Sequence, residues 1–148
     1  MAKPRHALIV EAPYYQEISD ELAAGAIEAL TEAGASYERL AVPGALEIPG
    51  AIALAAGARE GALPRFDCFV ALGCVIRGET SHYDYVCSES ARGLMDLSIR
   101  DKLCLGNGIL TVENRDQAMA RADRKRKNKG RDAAMAALAM AGIKEKFS

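Results

Sequence analysis

The chain has 148 residues and a formal net charge of −1; 50% of it is hydrophobic, 26% is charged, and it holds four Cys, two His and no Trp. That length fits one domain over residues 1–148, with the composition of a globular chain able to bury a sizeable core. A balanced charge excludes a whole-chain electrostatic pull toward nucleic acid or an anionic membrane, and apolar runs of under ten residues exclude a membrane-spanning helix.

The start, MAKPRHALIVEAP, is basic, and its apolar run ALIV is too short for a signal-peptide core, so a cytoplasmic protein is expected. HALIVEA (6–12) reads as a first strand. EISDELAAGAIEALTEAG (17–34) has Ile18, Leu22, Ala26, Ile27 and Leu30 at helical spacing, with Ser19 as candidate N-cap and Gly34 as the stop. SYERLAV (36–42) alternates like a strand. PGALEIPGAIALAAGARE (43–60) opens as a loop and becomes an Ala-rich helix ending near Gly61. FDCFVALGCVI (66–76) is a strand apolar enough to be covered on both faces.

SHYDYVCSESARGLMDLSIRD (81–101) follows as a helix, with Ser81 and Asp84 at capping-box spacing. CLGNGILTVE (104–113) is a further strand, and Asn114 can cap the helix RDQAMARA. The basic stretch DRKRKNKGR (123–131) interrupts before a terminal helix over 132–143. The frequent Ala predicts closely packed helices. The cysteines at 68, 74, 87 and 104 form no C-x-x-C pair, and with His only at 6 and 82 a zinc site is not expected. They read as free thiols, Cys87 as packing.

Alternating strands and helices predict an α/β fold with a parallel sheet. Such sheets bind ligands at the carboxyl ends of their strands, which directs attention to residues 12–16, 43–49, 75–82 and 107–114. In RGETSH (77–82), Thr80 and Ser81 at a helix start read either as a plain cap or as a cradle for a phosphate. His82 is either a surface residue or a proton shuttle. Glu47 either complements the dipole of its helix or holds ligand hydroxyls. Tyr14 and Tyr15 can stack on a flat heterocycle, cover the core, or contact a second subunit. The seven basic residues from Arg121 to Arg131 read as a solvated loop, as a nucleic-acid contact without interleaved aromatics, or as a source of Arg for a phosphate near residue 80.

Taken together, VPGALEIP, ALGCVIRGETSHYDYV, GILTVEN and ARADRKRKNKG stand in an order and spacing that resemble the lumazine synthases, from about Ala7 to Met140. The resemblance implies a transferase of riboflavin biosynthesis. It would condense 5-amino-6-(D-ribitylamino)uracil with 3,4-dihydroxy-2-butanone 4-phosphate to 6,7-dimethyl-8-ribityllumazine, phosphate and water, without a metal or organic cofactor. The implied fold is a flavodoxin-like three-layer α/β/α sandwich with a four-stranded parallel sheet in order 2-1-3-4. The implied assembly is a homopentamer with active sites between subunits, in some members extended to a decamer or an icosahedral shell.

By motif match, Tyr14 is implied to stack on the pyrimidine, and Ala45, Leu46 and Glu47 to bind the ribityl chain. Cys74, Val75 and Ile76 would read the pyrimidine through their backbone, with Asn107 on one wall of that pocket. Glu79, Thr80 and Arg121 would hold the phosphate, His82 would move the proton, and Lys129 and Asp132 would support the site. Four departures accompany the match. Pro13 replaces the usual Arg, Asn107 an aromatic, and Glu79 a small residue. DRKRKNKG also lacks the glycines common in shell-forming members, which favours an isolated pentamer or a pentamer pair. The departures at 13, 79 and 107 motivate an alternative: an altered member that binds flavin or lumazine as store or sensor.

Overall fold

The apolar runs of residues 7–10 and 68–72 become the two central strands of a parallel sheet, buried because helices cover both faces. The computed structural model describes residues 4–148; the first three residues of the basic start lie outside them. In chain order it contains β1 (His6–Glu11), α1 (Gln16–Glu32), β2 (Ser36–Ala41), a 3-10 turn (Ala45–Glu47), α2 (Ile48–Ala55), β3 (Arg59–Glu60), β4 (Leu63–Pro64), β5 (Cys68–Ile76), α3 (His82–Ile99), β6 (Leu105–Val112), α4 (Arg115–Ala122) and α5 (Lys129–Lys146). The sheet order is β2-β1-β5-β6, every pair parallel. With the two-residue strands β3 and β4 set aside, this is the expected order 2-1-3-4.

Period-two alternation sends the sheet's side chains to two cores. Ala7 and Ile9 of β1 and Cys68, Val70 and Leu72 of β5 pack with α1, α4 and α5. Leu8, Val10, Phe69 and Ala71 pack with Ile48 and Ile52 of α2 and Leu94 and Leu97 of α3. The three layers of a flavodoxin-like sandwich follow. Ala133, Ala134, Ala137 and Ala141 are the buried alanines of α5. Their small side chains let the helix lie so near β6 that a methyl group on Gly106 would collide with the Ala133 carbonyl.

Several local expectations need correction. Ser19 is not a cap: α1 opens at Gln16 with Tyr15 at the N-cap, and Ser19 is buried one turn inside. Gly34 does end the helix, at φ 76. The helix predicted to reach Gly61 stops at Ala55, where the Gly57 N–H turns back to Leu54. Arg59–Glu60 then pair with Leu63–Pro64 in a hairpin around Gly61. The strand expected over 104–113 is borne out as Leu105–Val112, running alongside β5 as far as Ile76↔Val112, so of the edge window 107–114 only residues 113 and 114 lie past the strand end. The last helix starts at Lys129, three residues earlier than expected, because Asn128 caps it by accepting from the Arg131 N–H. Asn114 caps α4 as expected, accepting from the Gln117 N–H at 2.9 Å.

Register sets the shape of the carboxyl edge. β1 ends at Glu11, level with Leu72, while β5 and β6 continue together to Ile76 and Val112. Four residues of strand leave a step roughly 13 Å high. At its foot, a side chain on Gly73 would touch both Ile48 and Ala12, so the start of α2 and the residue after β1 meet β5 there.

Candidate active site

Tyr14 lies just past the end of β1. Pro13 occupies the centre of a tight turn in which the Tyr14 N–H bonds to the Ala12 carbonyl at 2.9 Å. The chain then enters α1, and the two tyrosines part company. Tyr15 packs on the core beneath α1, where burial pushes its phenol up. Tyr14 meets it edge-on, centroids 4.9 Å apart, and remains 76% exposed. Of the two rings, Tyr14 presents the free face.

The second loop is tied to the first through the backbone, as the Val42 N–H bonds to the Glu11 carbonyl at 2.8 Å. Ala45 is buried, while Leu46 and Glu47 face out. Their 3-10 turn lies against β5 and α3. Glu47 immediately precedes α2, where its carboxylate suits the helix dipole and is open to a ligand. Cys74, Val75 and Ile76 are half-buried at the raised end of β5. Burial pushes the Cys74 thiol up to about 11, so it stays neutral at physiological pH, in keeping with a backbone contribution.

The third loop carries Glu79, Thr80 and His82, all exposed. Ser81 stands at the N-cap of α3 but makes no side-chain cap bond, which corrects the capping-box reading. Thr80 Oγ1 instead accepts from the His82 N–H at 3.3 Å. Asp84, the other expected member of the box, faces Arg77 at 3.5 Å. Arg77 also bonds Glu113 at 2.6 Å and lies 4.3 Å over the Tyr83 ring. Sequence reasoning passed over Arg77, which fastens the loop after β5 to the loop after β6. Finding it required the register, since Ile76 and Val112 pair and place Arg77 beside Glu113.

A second missed ion pair braces the first two loops. Glu11 is only 7% exposed, and Arg39 donates to both its oxygens, at 2.6 and 2.8 Å. A charge so buried needs such a bidentate partner. The pair joins the last residue of β1 to β2, just ahead of Tyr14 on one strand and Ala45–Glu47 on the other.

The remaining predicted residues lie apart from these loops. Asn107 is the third residue of β6, an edge strand, and its Oδ1 accepts from the Ile109 N–H at 2.9 Å. Asn107, Thr111, Arg121 and Lys129 line one surface pocket of about 270 Å³ that includes none of Tyr14, Glu47, Thr80 or His82. Arg121 donates to the Gln117 carbonyl at 3.0 Å, and Lys129 lies 3.3 Å from Asp132 on the first turn of α5. One chain therefore presents two separate sets of groups: an aromatic, a carboxylate and an imidazole on the carboxyl edge, and two cations with an amide beside β6.

None of the four cysteines is paired. Cys68 opens β5 and Cys104 immediately precedes β6; both are buried, and burial pushes Cys68 up to about 12. Cys87 is half-buried against Tyr83, and burial raises its thiol also. Neutral buried thiols do not serve as nucleophiles.

Residues 5–145 match the family model for 6,7-dimethyl-8-ribityllumazine synthase. The chain belongs to that family. A synthase of this name from Methylorubrum populi is 58% identical over 137 residues, covering 93% of this chain and 81% of that protein. The 6,7-dimethyl-8-ribityllumazine synthase 1 of Rhizobium meliloti is 57% identical over 146 residues, covering 98% and 95%. That of Bartonella tribocorum is 54% identical over 147 residues, covering 99% and 95%. Both sets of groups, from Tyr14 to Asp132, fall within the span that matches the lumazine synthase family.

Proposed function

We propose that this chain is a 6,7-dimethyl-8-ribityllumazine synthase. It condenses 5-amino-6-(D-ribitylamino)uracil with 3,4-dihydroxy-2-butanone 4-phosphate, releasing phosphate and water, as the penultimate step of riboflavin biosynthesis in the cytoplasm. The observation that carries this reading is the family match over residues 5–145, with loop residues in place at the carboxyl edge of the sheet.

In the proposed site Tyr14 stacks on the pyrimidine, the backbone of Cys74–Ile76 reads its edge, and Ala45–Glu47 take the ribityl hydroxyls. The phosphate lies at the start of α3, against the backbone of Glu79 and Thr80, where the N–H groups of a helix terminus favour an anion. Arg121 forks onto its oxygens, Asn107 walls the pyrimidine pocket, and Lys129 and Asp132 support Arg121. Because Arg121, Asn107 and Lys129 lie apart from the loops of their own chain, we propose that they come from a neighbouring copy in a homopentamer.

The amine of the uracil attacks the ketone carbonyl, and His82 gives and takes the protons that this addition and the following loss of water require. Phosphate is then eliminated, which leaves a carbonyl at the neighbouring carbon, and the ribitylamino nitrogen attacks that carbonyl and closes the ring with loss of a second water. Holding two substrates in contact supplies much of the rate, and a placed imidazole typically adds about 10²–10⁴-fold. His82→Ala is therefore expected to slow turnover by about that factor and leave a measurable residue. The test mixes both substrates with parent and variant and follows lumazine absorbance together with phosphate release. Parent protein giving no product above the spontaneous rate would remove the enzyme reading, and full turnover in His82→Ala would remove that residue's role.

A further inference from the structure

The seven basic residues from Arg121 to Arg131 are divided by the structure into anchors and free charges. Arg124 is held by Glu21 and Glu28 of α1, and Arg131 by Glu32. Lys125, Arg126 and Lys127 are exposed and make no ion pair among the described residues.

The turn that carries these three is tightly tied. The Lys125 N–H bonds Asp123 Oδ1 at 2.8 Å, and the Arg126 and Asn128 N–H groups bond the Asp123 carbonyl at 3.0 and 3.1 Å. Asn128 takes a left-handed conformation at φ 45. Gly130 lies so close to the Leu22 carbonyl that any side chain there would collide with it. The turn is also placed beside the cationic pocket. The Lys127 N–H bonds the carbonyl of Ala120, the residue before Arg121, at 3.2 Å. Lys129, two residues further on, lines the same pocket as Arg121.

We infer that Lys125, Arg126 and Lys127 form a rigid electrostatic collar that concentrates the phosphorylated substrate at the Arg121–Lys129 pocket. The inference rests on the proposed synthase reading. A net charge of −1 gives the whole chain no attraction for a dianion, so attraction has to be local. Three unpaired cations on the turn that adjoins Arg121 and Lys129 supply it, and such an attraction is screened over roughly 8 Å at physiological salt. A small phosphate suits the surface better than a nucleic acid, since no aromatic residue occurs between Tyr85 and Phe147 to stack on bases.

The test is the double variant Arg126→Gln/Lys127→Gln, whose replaced side chains have no ion-pair partner to lose among the described residues. Initial rates are measured for both substrates from about 0.02 M to 0.5 M ionic strength, together with inhibition by inorganic phosphate. At low salt the KM for the butanone phosphate and the inhibition constant of phosphate should both rise about tenfold, and the difference should vanish at high salt. The KM for the uracil and kcat should not move. An unchanged phosphate KM at low salt overturns the collar, as does an equal rise for both substrates. Salt-dependent binding of an RNA oligonucleotide that is lost in the variant while the phosphate KM stays put also overturns it, in favour of a polyanion. Should the parent make no lumazine, the synthase reading fails separately, and phosphate binding by calorimetry on both proteins still decides the collar.

Discussion

Tyr14 and Tyr15 differ only in position, yet the fold gives them different work. Tyr15 is drawn onto the core by α1, and Tyr14 is left with an open face above the end of β1. Tyr14→Ala is expected to leave the melting temperature in place and raise the KM for the uracil substrate about tenfold or more, the scale of a lost base-stacking contact. Tyr15→Ala is expected to lower the melting temperature. Thermal melts and initial rates on the two variants check this, and a Tyr15→Ala protein that melts normally but binds the uracil poorly would exchange their roles. The sequence placed both rings at the strand end but could not choose between them, because the choice depends on which ring α1 buries. Glu79 poses a question of the same kind. It is exposed on the proposed phosphate loop and has no ion-pair partner among the described residues, so its carboxylate is free to turn toward solvent.

At the scale of elements, composition dictates how near α5 can come to β6. Alanines on the helix and glycines at 106 and 108 on the strand remove the side chains that would hold them apart. Gly106→Ala would drive a methyl into the Ala133 carbonyl and is expected to cost roughly 3 kcal/mol or more, at the upper end of overpacking. Gly142→Ala, also on α5 but with open space around it, is expected to be neutral or to stabilise by about 0.5–1 kcal/mol through helix propensity. The two melting temperatures should move in opposite directions or differ by several degrees, and equal melts would contradict the packing. Helix α4 was legible to the residue because Asn114 caps it by a local bond. The hairpin of β3 and β4 was not, because two-residue strands carry no periodicity to read. Ser19 misled because a capping residue type is common and only the path of the chain decides which one caps, while Ser81 does stand at the N-cap of α3 but makes no side-chain cap bond.

For the whole molecule, the two separate sets of site residues make a prediction about assembly. If a complete site draws His82 from one copy and Arg121 from its neighbour, His82→Ala and Arg121→Ala chains should complement each other. Co-refolded in equal amounts, they would form about a quarter of their sites with both residues intact, as random mixing of head-to-tail contacts dictates. Activity well above that of either variant alone is the expected result, and native mass spectrometry of the mixture should show mixed pentamers. No gain in a verified mixed assembly would place the whole site on one chain.

The sequence alone determined the alternation of strands and helices and the family, and it nominated the candidate site residues, because these readings depend on local periodicity and on motifs within short stretches. The stretch Val75–Val86 carries most of that information. Tertiary structure decided what depends on residues distant in sequence. Register stepped the carboxyl edge and brought Arg77 to Glu113, and the pairing of β1 with β2 gave the buried Glu11 its Arg39. Packing of the basic run on α1 divided it into anchors held by carboxylates and, among the described residues, members such as Lys125, Arg126 and Lys127 that make no ion pair. A charge run reads the same in sequence whichever of its members finds a partner, because the partners lie about a hundred residues away.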